Sequence, residues 1–181
     1  MNEKSEVIHG HVVRQILEDD GLFPNNPVLP LLVYKGAVFL HPDDEAEHIL
    51  DIFARNGWTN GWKNGIYDYH HYHSTAHEVL GIFCGTADVQ LGGPDGVCVE
   101  LSRGDVVIIP AGVAHKRLKA SDDFLCVGAY PEGQSYDMNE GREGERERAI
   151  ANIERVPLPV LDPVFGKDGP LLSDWIKGPG I

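Results

Sequence analysis

Residues 65–85 concentrate side chains that bind transition metals, namely four of the nine histidines of the chain and the carboxylate of Glu78. His71 and His73 are two positions apart, so on a β-strand both side chains point to the same face. Glu78 follows after a gap that is long enough for a turn. Two imidazoles and one carboxylate on a single wall are the beginnings of a metal site.

A further candidate ligand, His115, follows the turn-forming sequence P-A-G-V-A. His115 opens the strand after this turn, where its side chain can face the same interior. The combined set of three neutral imidazoles and one carboxylate does not suit a closed, cysteine-rich structural zinc site. It suits one divalent ion of Fe, Mn, Ni, Co, Cu or Zn, with coordination positions left open for water or substrate.

Two tyrosines are predicted to line the pocket beside these ligands. If residues 66–74 form one strand, Tyr67 and Tyr69 share the face of the two histidines. A face with two tyrosines and two histidines is typical of a pocket wall rather than of a solvated surface. Ordinary packing of aromatic rings in the core is an equal alternative for both tyrosines.

Three further side chains near the predicted ligands each have two interpretations. Lys119 shares the parity of His115, so it either lies on the pocket wall, where it pairs with a substrate carboxylate or with the charge of Glu78, or lies at the mouth with its charge in water. Long amphipathic side chains favour the second position. His70 and His77 flank the ligands and are expected outside the metal shell, His70 because its parity is opposite to that of His71. His77 is the reserve ligand if Glu78 points away.

The elements that must position these residues are mainly short strands between Gly- and Pro-containing turns. Residues 57–65 are expected to form a turn-rich approach, and residues 66–74 the first strand of the site. Further strands are predicted at residues 86–91, 97–101, 105–110 and 124–130. Such spacing predicts an all-β fold, either an antiparallel sandwich or a barrel.

Helical signals occur only at the periphery of this pattern. An amphipathic helix is predicted between residues 43 and 56, packed on the outside of the main sheet. A second, solvated helix is predicted within residues 138–153. The Pro- and Gly-rich residues 156–181 are expected to extend along the barrel wall or to cross to a second subunit.

Composition excludes several classes of partner. The 181 residues include 15 Lys and Arg against 28 Asp and Glu, a net charge of −13, which argues against nucleic acids and anionic membranes. No signal peptide and no apolar stretch of membrane-spanning length are evident. Three scattered cysteines without C-x-x-C spacing favour a reducing compartment, so we expect a cytoplasmic protein.

The two histidine-containing segments also carry a resemblance to a known family. The first matches the motif G-x5-H-x-H-x4-E-x6-G and the second G-x5-P-x-G-x2-H, through Gly65, His71, His73, Glu78, Gly85, Gly104, Pro110, Gly112 and His115. The chain therefore resembles the cupin superfamily. The string Y-D-Y-H-H-Y-H-S and the tail D-P-x-x-G-x-x-G-P-L resemble the YjlB-like group of small bacterial cupins within it.

The resemblance implies a cupin-type double-stranded β-helix, that is, a jelly-roll barrel with a few peripheral helices. One domain would span residues 1–181, with a barrel core at about 63–131, an N-terminal extension at 1–58, and a C-terminal helix and tail at 137–181. It also implies that His71, His73, Glu78 and His115 are the metal ligands. Cupins frequently pair through barrel edges, so a homodimer is expected. The second motif usually ends in Asn, where this chain has Lys119.

Three functions are compatible with this sequence. The first is a metal-dependent enzyme of the oxygenase, isomerase or lyase type, acting on a small organic molecule, in which Glu78 stays a ligand or acts as a base. The second is a metal-assisted binding or sensor module without turnover. The third is a structural barrel whose tail mediates dimerisation. Cupin enzymes catalyse many reactions, so the resemblance does not specify the reaction.

Overall fold

The computed structural model of the chain describes residues 7–8, 10–44 and 46–176. Within these ranges the regular structure consists of nine strands, two α-helices and a short π-helical segment at Leu172–Ile176. The strands are β1 (Val12–Leu17), β2 (Asn26–Tyr34), β3 (Trp58–Asn64), β4 (Glu78–Cys84), β5 (Thr86–Leu91), β6 (Val97–Ser102), β7 (Val106–Ile109), β8 (His115–Ala120) and β9 (Leu125–Pro131). The helices are α1 (Ala46–Arg55) and α2 (Arg146–Ile153).

The strands form two antiparallel sheets that share one core. The larger sheet has the order β1-β2-β7-β4-β9-β3, and the smaller has the order β6-β5-β8. Every strand pairing within the described residues is antiparallel. The prediction of an all-β barrel of antiparallel strands with a few peripheral helices is therefore confirmed.

Both faces of the larger sheet are buried because α1 covers its outer side. In β2, Leu31 and Val33 join the apolar cluster shared with the smaller sheet, while Leu32 between them belongs to a second cluster beneath α1. Ile49 of α1 lies against Gly81 of β4, where an added Cβ would come within 2.6 Å of the Ile49 side chain. Glycine at position 81 thus permits the close approach of the helix that the amphipathic pattern predicted.

The N-terminal half contributes one strand, β3, at a place where the sequence indicated only turns. Residues 57–65 were expected to be turn-rich, but Trp58–Asn64 forms an edge strand paired with β9. The strand is irregular in its middle. Its register with β9 shifts between Thr59 and Trp62, and Asn60 has a φ of 59°, a backbone conformation that is common in turns. The segment expected as an N-terminal extension also supplies β1 and β2 to the larger sheet.

Residues 66–74 were expected to form one strand, and this prediction is wrong. The segment is irregular, and it pairs through two isolated bridges, His71 with His115 and Tyr72 with Asn139. Its side chains still alternate around His71, since Tyr72 turns away and is fully buried in a small cluster with Phe23. The alternation that matters for the site therefore survives without a regular strand.

The segment after α2 runs along the barrel of the same chain and is fixed by a buried carboxylate. The Tyr34 hydroxyl donates to Oδ2 of Asp162 at 2.6 Å, and the Leu171 N–H donates to the same oxygen at 3.2 Å. The N–H groups of Val164 and Phe165 donate to Oδ1 at 2.8 and 3.0 Å. Asp162 is fully buried, so three of these hydrogen bonds order the tail around its carboxylate, and the one from Tyr34 ties the tail to β2.

The indole of Trp175 also donates to the carbonyl oxygen of Pro30 at 2.9 Å. Of the two courses predicted for the tail, the described part follows the wall of its own barrel. No helix in the described ranges is long and apolar enough to cross a membrane.

Candidate metal centre

Backbone pairing brings three histidines from two parts of the chain together. The N–H of His71 donates to the carbonyl oxygen of His115 at 3.2 Å, and the N–H of His115 donates back to His71 at 2.9 Å. The N–H of Gly112 donates to the carbonyl oxygen of His73 at 2.7 Å, which holds the preceding turn to the same segment. The three imidazole centroids consequently lie between 4.0 and 5.9 Å apart.

Each imidazole is oriented by a backbone carbonyl. Nδ1 of His71 lies 3.0 Å from the carbonyl oxygen of Tyr69, Nδ1 of His73 lies 2.6 Å from that of Asp137, and Nδ1 of His115 lies 3.2 Å from that of Val113. A carbonyl oxygen only accepts hydrogen bonds, so each Nδ1 carries a proton, and Nε2 is the ring nitrogen left for a further partner or an ion. This is the arrangement that outer hydrogen-bond partners impose on metal-binding histidines.

The resulting cluster fits a metal ion. One ring nitrogen from each of the three buried histidines lies within 4.8 Å of the others. Glu78 is also buried, and its Oε1 lies 3.4 Å from Nε2 of His115 while its Oε2 lies 3.5 Å from Nε2 of His73. The carboxylate therefore lies against the imidazole nitrogens that would hold an ion, and together they offer a mixed nitrogen and oxygen donor set.

The electrostatics of the cluster keep a carboxylate charge inside the barrel. Burial and the neighbouring His115 lower the pKa of His71 to about 3, so this imidazole is neutral. Burial alone would raise the pKa of Glu78, but the charge of His73 and hydrogen bonds from both imidazoles lower it well below its usual range. Burial likewise opposes the charged form of His73, yet the Glu78 carboxylate raises its pKa. When a divalent cation binds, it would replace the proton on His73 as the positive partner of the Glu78 carboxylate.

Tyr130 and Trp62 hold the Glu78 carboxylate in place, and neither was expected from the sequence. The Tyr130 hydroxyl donates to Oε2 of Glu78 at 2.8 Å, and the Trp62 indole N–H donates to the Tyr130 hydroxyl at 2.8 Å. Burial and the nearby carboxylate raise the pKa of Tyr130, so it remains a donor. Tyr130 lies 52 residues from Glu78, and no local pattern links the two.

Removing the Tyr130 hydroxyl tests this support. We expect Tyr130→Phe to weaken metal binding about 10- to 100-fold, the usual effect of losing an outer hydrogen-bond partner of a ligand. The matched control is Tyr136→Phe, because the Tyr136 ring stacks on that of Tyr130 at 4.7 Å and is 44 % exposed. Competition with a chromophoric chelator gives both affinities. Equal affinities for the two variants would contradict a role for the Tyr130 hydroxyl.

A cavity of about 270 Å³ opens onto the four side chains. Tyr67 lines it, as the sequence predicted, together with Tyr136 and Met138, which were not predicted. Tyr69 stays outside the lining, and its ring stacks on Tyr67 at 5.0 Å. The ring of Tyr136 lies 5.0 Å from that of His73, so aromatic groups surround the entrance to the histidines.

Lys119 lies outside this cavity because β8 contains a bulge. Arg117 pairs with Val89 of β5, but Lys119 pairs with Asp88, which is only one residue further along β5. The extra residue in β8 reverses the side-chain alternation, so Lys119 takes the exposed outer face. The parity counted from His115 is not maintained, and the structure does not bring Lys119 to the predicted ligands.

The two flanking histidines also lie outside the cluster. His70 is half-buried beside Phe23, with the ring centroids 5.4 Å apart. His77 is buried, and its Nδ1 accepts the N–H of Ala111 at 2.9 Å. Because Glu78 points at the imidazoles, His77 is not needed as the alternative fourth ligand.

The chain has a clear sequence relative among known proteins. No protein-family model matches it. It is 46% identical to YjlB of Bacillus subtilis (strain 168) over 159 residues, which cover 88% of this chain and 93% of that protein.

Two solved structures illustrate more distant likenesses. Acireductone dioxygenase from Bacillus anthracis with a cadmium ion in its active centre is 18% identical, with 70% of this chain and 82% of that chain covered and a TM-score of 0.38. The 3,5-epimerase RmlC from Legionella pneumophila is 16% identical, with 70% and 74% covered and a TM-score of 0.38. Values this low carry no information about function. The identity to YjlB over most of both chains, joined to the two histidine motifs and the antiparallel barrel, shows that this protein belongs to the YjlB group of the cupin superfamily.

Proposed function

We propose that this protein is a metal-dependent enzyme that acts on a small organic molecule. In this proposal one divalent transition metal ion is bound by His71, His73 and His115, with Glu78 as the fourth ligand. The single observation that carries it is the orientation of the imidazoles, whose Nδ1 atoms are all engaged by backbone carbonyls. The three rings are thus held in place with Nε2 left for an ion, which reduces the cost of assembling the site.

The donor set favours an ion of the later first-row series, from Mn to Zn, over the hard cations Ca²⁺ and Mg²⁺, which prefer oxygen ligands. Bound there, such an ion supplies Lewis-acid chemistry toward a substrate oxygen. The aromatic lining formed by Tyr67 and Tyr136 excludes water around the reacting group and packs against a flat or apolar substrate. A volume of about 270 Å³ restricts the substrate to a small molecule.

Glu78 is the residue we propose for proton transfer. Its carboxylate is ionised in the buried site and accepts a hydrogen bond from the Tyr130 hydroxyl. A carboxylate held in this way can remain a ligand or can take a proton from a substrate carbon or oxygen. Because the Tyr130 hydroxyl engages Oε2, the other oxygen, Oε1, is the one available toward His115 and the cavity.

Cobalt substitution tests both the ligand set and the open coordination positions. We expect the protein to bind Co²⁺ at about one ion per chain, with the visible absorption of a nitrogen- and oxygen-ligated ion. Addition of acetohydroxamate, a small chelator with two oxygen donors, is expected to change this spectrum by occupying open positions. Binding of well under one ion per chain would contradict the metal site, and a spectrum that acetohydroxamate leaves unchanged would contradict an open catalytic ion.

Turnover distinguishes an enzyme from a binding module. A panel of small hydroxy acids, keto acids and diols is incubated with the metal-loaded protein and analysed by mass spectrometry. Consumption that requires the metal supports the enzyme. A compound that binds only to the metal-loaded protein and is recovered unchanged would favour the module without turnover.

A further inference from the structure

A second cavity, of about 490 Å³, lies apart from the histidine cluster and shares none of its lining residues. Its walls come from the start of β2, the C-terminal part of α2, the segment after α2 and the π-helical segment. The residues of the lining that matter most for a ligand are Val28, Leu29, His77, Ile153, Leu158 and Trp175. This size is typical of sites for small organic ligands.

His77 presents an unpaired hydrogen-bond donor in this lining. The N–H of Ala111 donates to Nδ1 of His77, so Nδ1 carries the lone pair and Nε2 carries the proton. His77 is 1% exposed, and among the described residues its Nε2 has no hydrogen-bond partner. The ring lies against Trp175, with the centroids 4.8 Å apart. Buried donors are nearly always satisfied, so an unsatisfied one in a cavity wall indicates a missing acceptor.

The remaining polar groups of the cavity are already engaged or are acidic. The Asn25 side chain donates to three carbonyl oxygens, and that of Asn26 donates to Ala111 and accepts from β2. The carboxylates at the edge, Asp19 and Glu154, disfavour an anionic ligand, and Asp19 is paired with Arg146. The other lining side chains are apolar.

We propose that this cavity is a second binding site, which takes an uncharged and largely apolar organic molecule with one hydrogen-bond-accepting oxygen. The oxygen accepts the proton of His77 Nε2, and the apolar body packs against Trp175, Leu29 and Ile153. The site is independent of the metal and goes beyond the proposed enzymatic function. The exposed apolar side chains of Val28 and Leu158, 76% and 47% exposed, form its entrance.

Nile red tests the site, because this dye is uncharged, mostly apolar and carries a carbonyl oxygen. We expect its fluorescence to rise on binding to the full-length protein, and Val28→Asp to weaken the binding about tenfold, since a carboxylate then meets an apolar ligand at the entrance. The matched control is Val160→Asp. Val160 is 74% exposed but lines neither cavity, so this variant should bind the dye like the original protein.

A second variant tests the donor. His77→Asn keeps an acceptor for the Ala111 N–H and removes the Nε2 donor, and we expect about fivefold weaker dye binding. Nitrogen-15 NMR of the histidine rings should also show the His77 Nε2–H signal shifting on dye addition. Equal dye affinity in Val28→Asp and Val160→Asp, or an unshifted His77 signal at saturation, would overturn the proposal. Equal affinities in these two variants are the result expected if the dye binds in the histidine cavity instead.

Discussion

Replacement of His73 by alanine is expected to lower the affinity for a divalent transition metal by about 100-fold or more. Loss of even an outer partner of a ligand costs about 10- to 100-fold, and here a proposed ligand itself is removed. His73 also faces Glu78, with Nε2 of His73 3.5 Å from Oε2 of the carboxylate, so the variant removes the charge partner of that group. Metal content after dialysis and chelator competition measure the effect.

His70→Ala is the matched control for this experiment. His70 belongs to the same histidine-rich segment but lies beside Phe23, outside the cluster of three imidazoles. We expect it to keep one ion per chain with unchanged affinity. Circular dichroism of both metal-free variants checks that the fold is retained. If the two variants lose metal equally, or if neither does, the assignment of His73 as a ligand is wrong.

The largest effect on stability is expected at Asp162, far along the chain from the metal site. Asp162→Ala removes the acceptor of the Tyr34 hydroxyl and of the N–H groups of Val164 and Phe165, whereas the Leu171 N–H keeps the Tyr34 hydroxyl as an acceptor at 3.1 Å. A buried group without a partner costs about 1–3 kcal/mol, so we expect the free energy of unfolding to fall by about 3 kcal/mol or more. Urea unfolding followed by tryptophan fluorescence gives this value.

Two further variants make the stability experiment specific. Asp168→Ala removes an exposed carboxylate from the same tail and is expected to change the free energy of unfolding by no more than about 0.5 kcal/mol. Asp162→Asn keeps Oδ1 as an acceptor but replaces Oδ2, which Tyr34 and Leu171 use, so its loss should be intermediate. A loss in Asp162→Ala as small as in Asp168→Ala would show that the buried carboxylate does not hold the tail.

Local patterns accounted for much of the architecture. The amphipathic spacing within residues 43–56 predicted α1, and the Gly-Gly-Pro-Asp-Gly turn predicted the hairpin of β5 and β6. These features depend on neighbours a few residues apart, which a single sequence displays directly. The prediction for residues 57–65 was wrong because only Gly57 lies in a turn, while Gly61 lies inside an irregular edge strand and Gly65 follows it.

The motif spacing also placed His71, His73, Glu78 and His115 in a common site, and the structure brings these side chains together. Spacing was sufficient here because the alternation of extended backbone orients His71 and His73 regardless of whether they lie in a regular strand. The partners that orient these side chains had no such signal. Tyr130 reaches Glu78 across 52 residues, and the carbonyl of Asp137 reaches His73 across 64.

Lys119 is the clearest case in which pairing between strands decided a side-chain position that the local sequence could not predict. Its parity with His115 placed it on the pocket wall, but one extra residue in β8 turned it to the outer face. A bulge is set by the pairing of β8 with β5, not by the residues of β8 alone. The sequence thus established the chemistry of the candidate site through residue types and short spacings. The folded chain established which side chains surround it, because those contacts join strands that are distant in sequence.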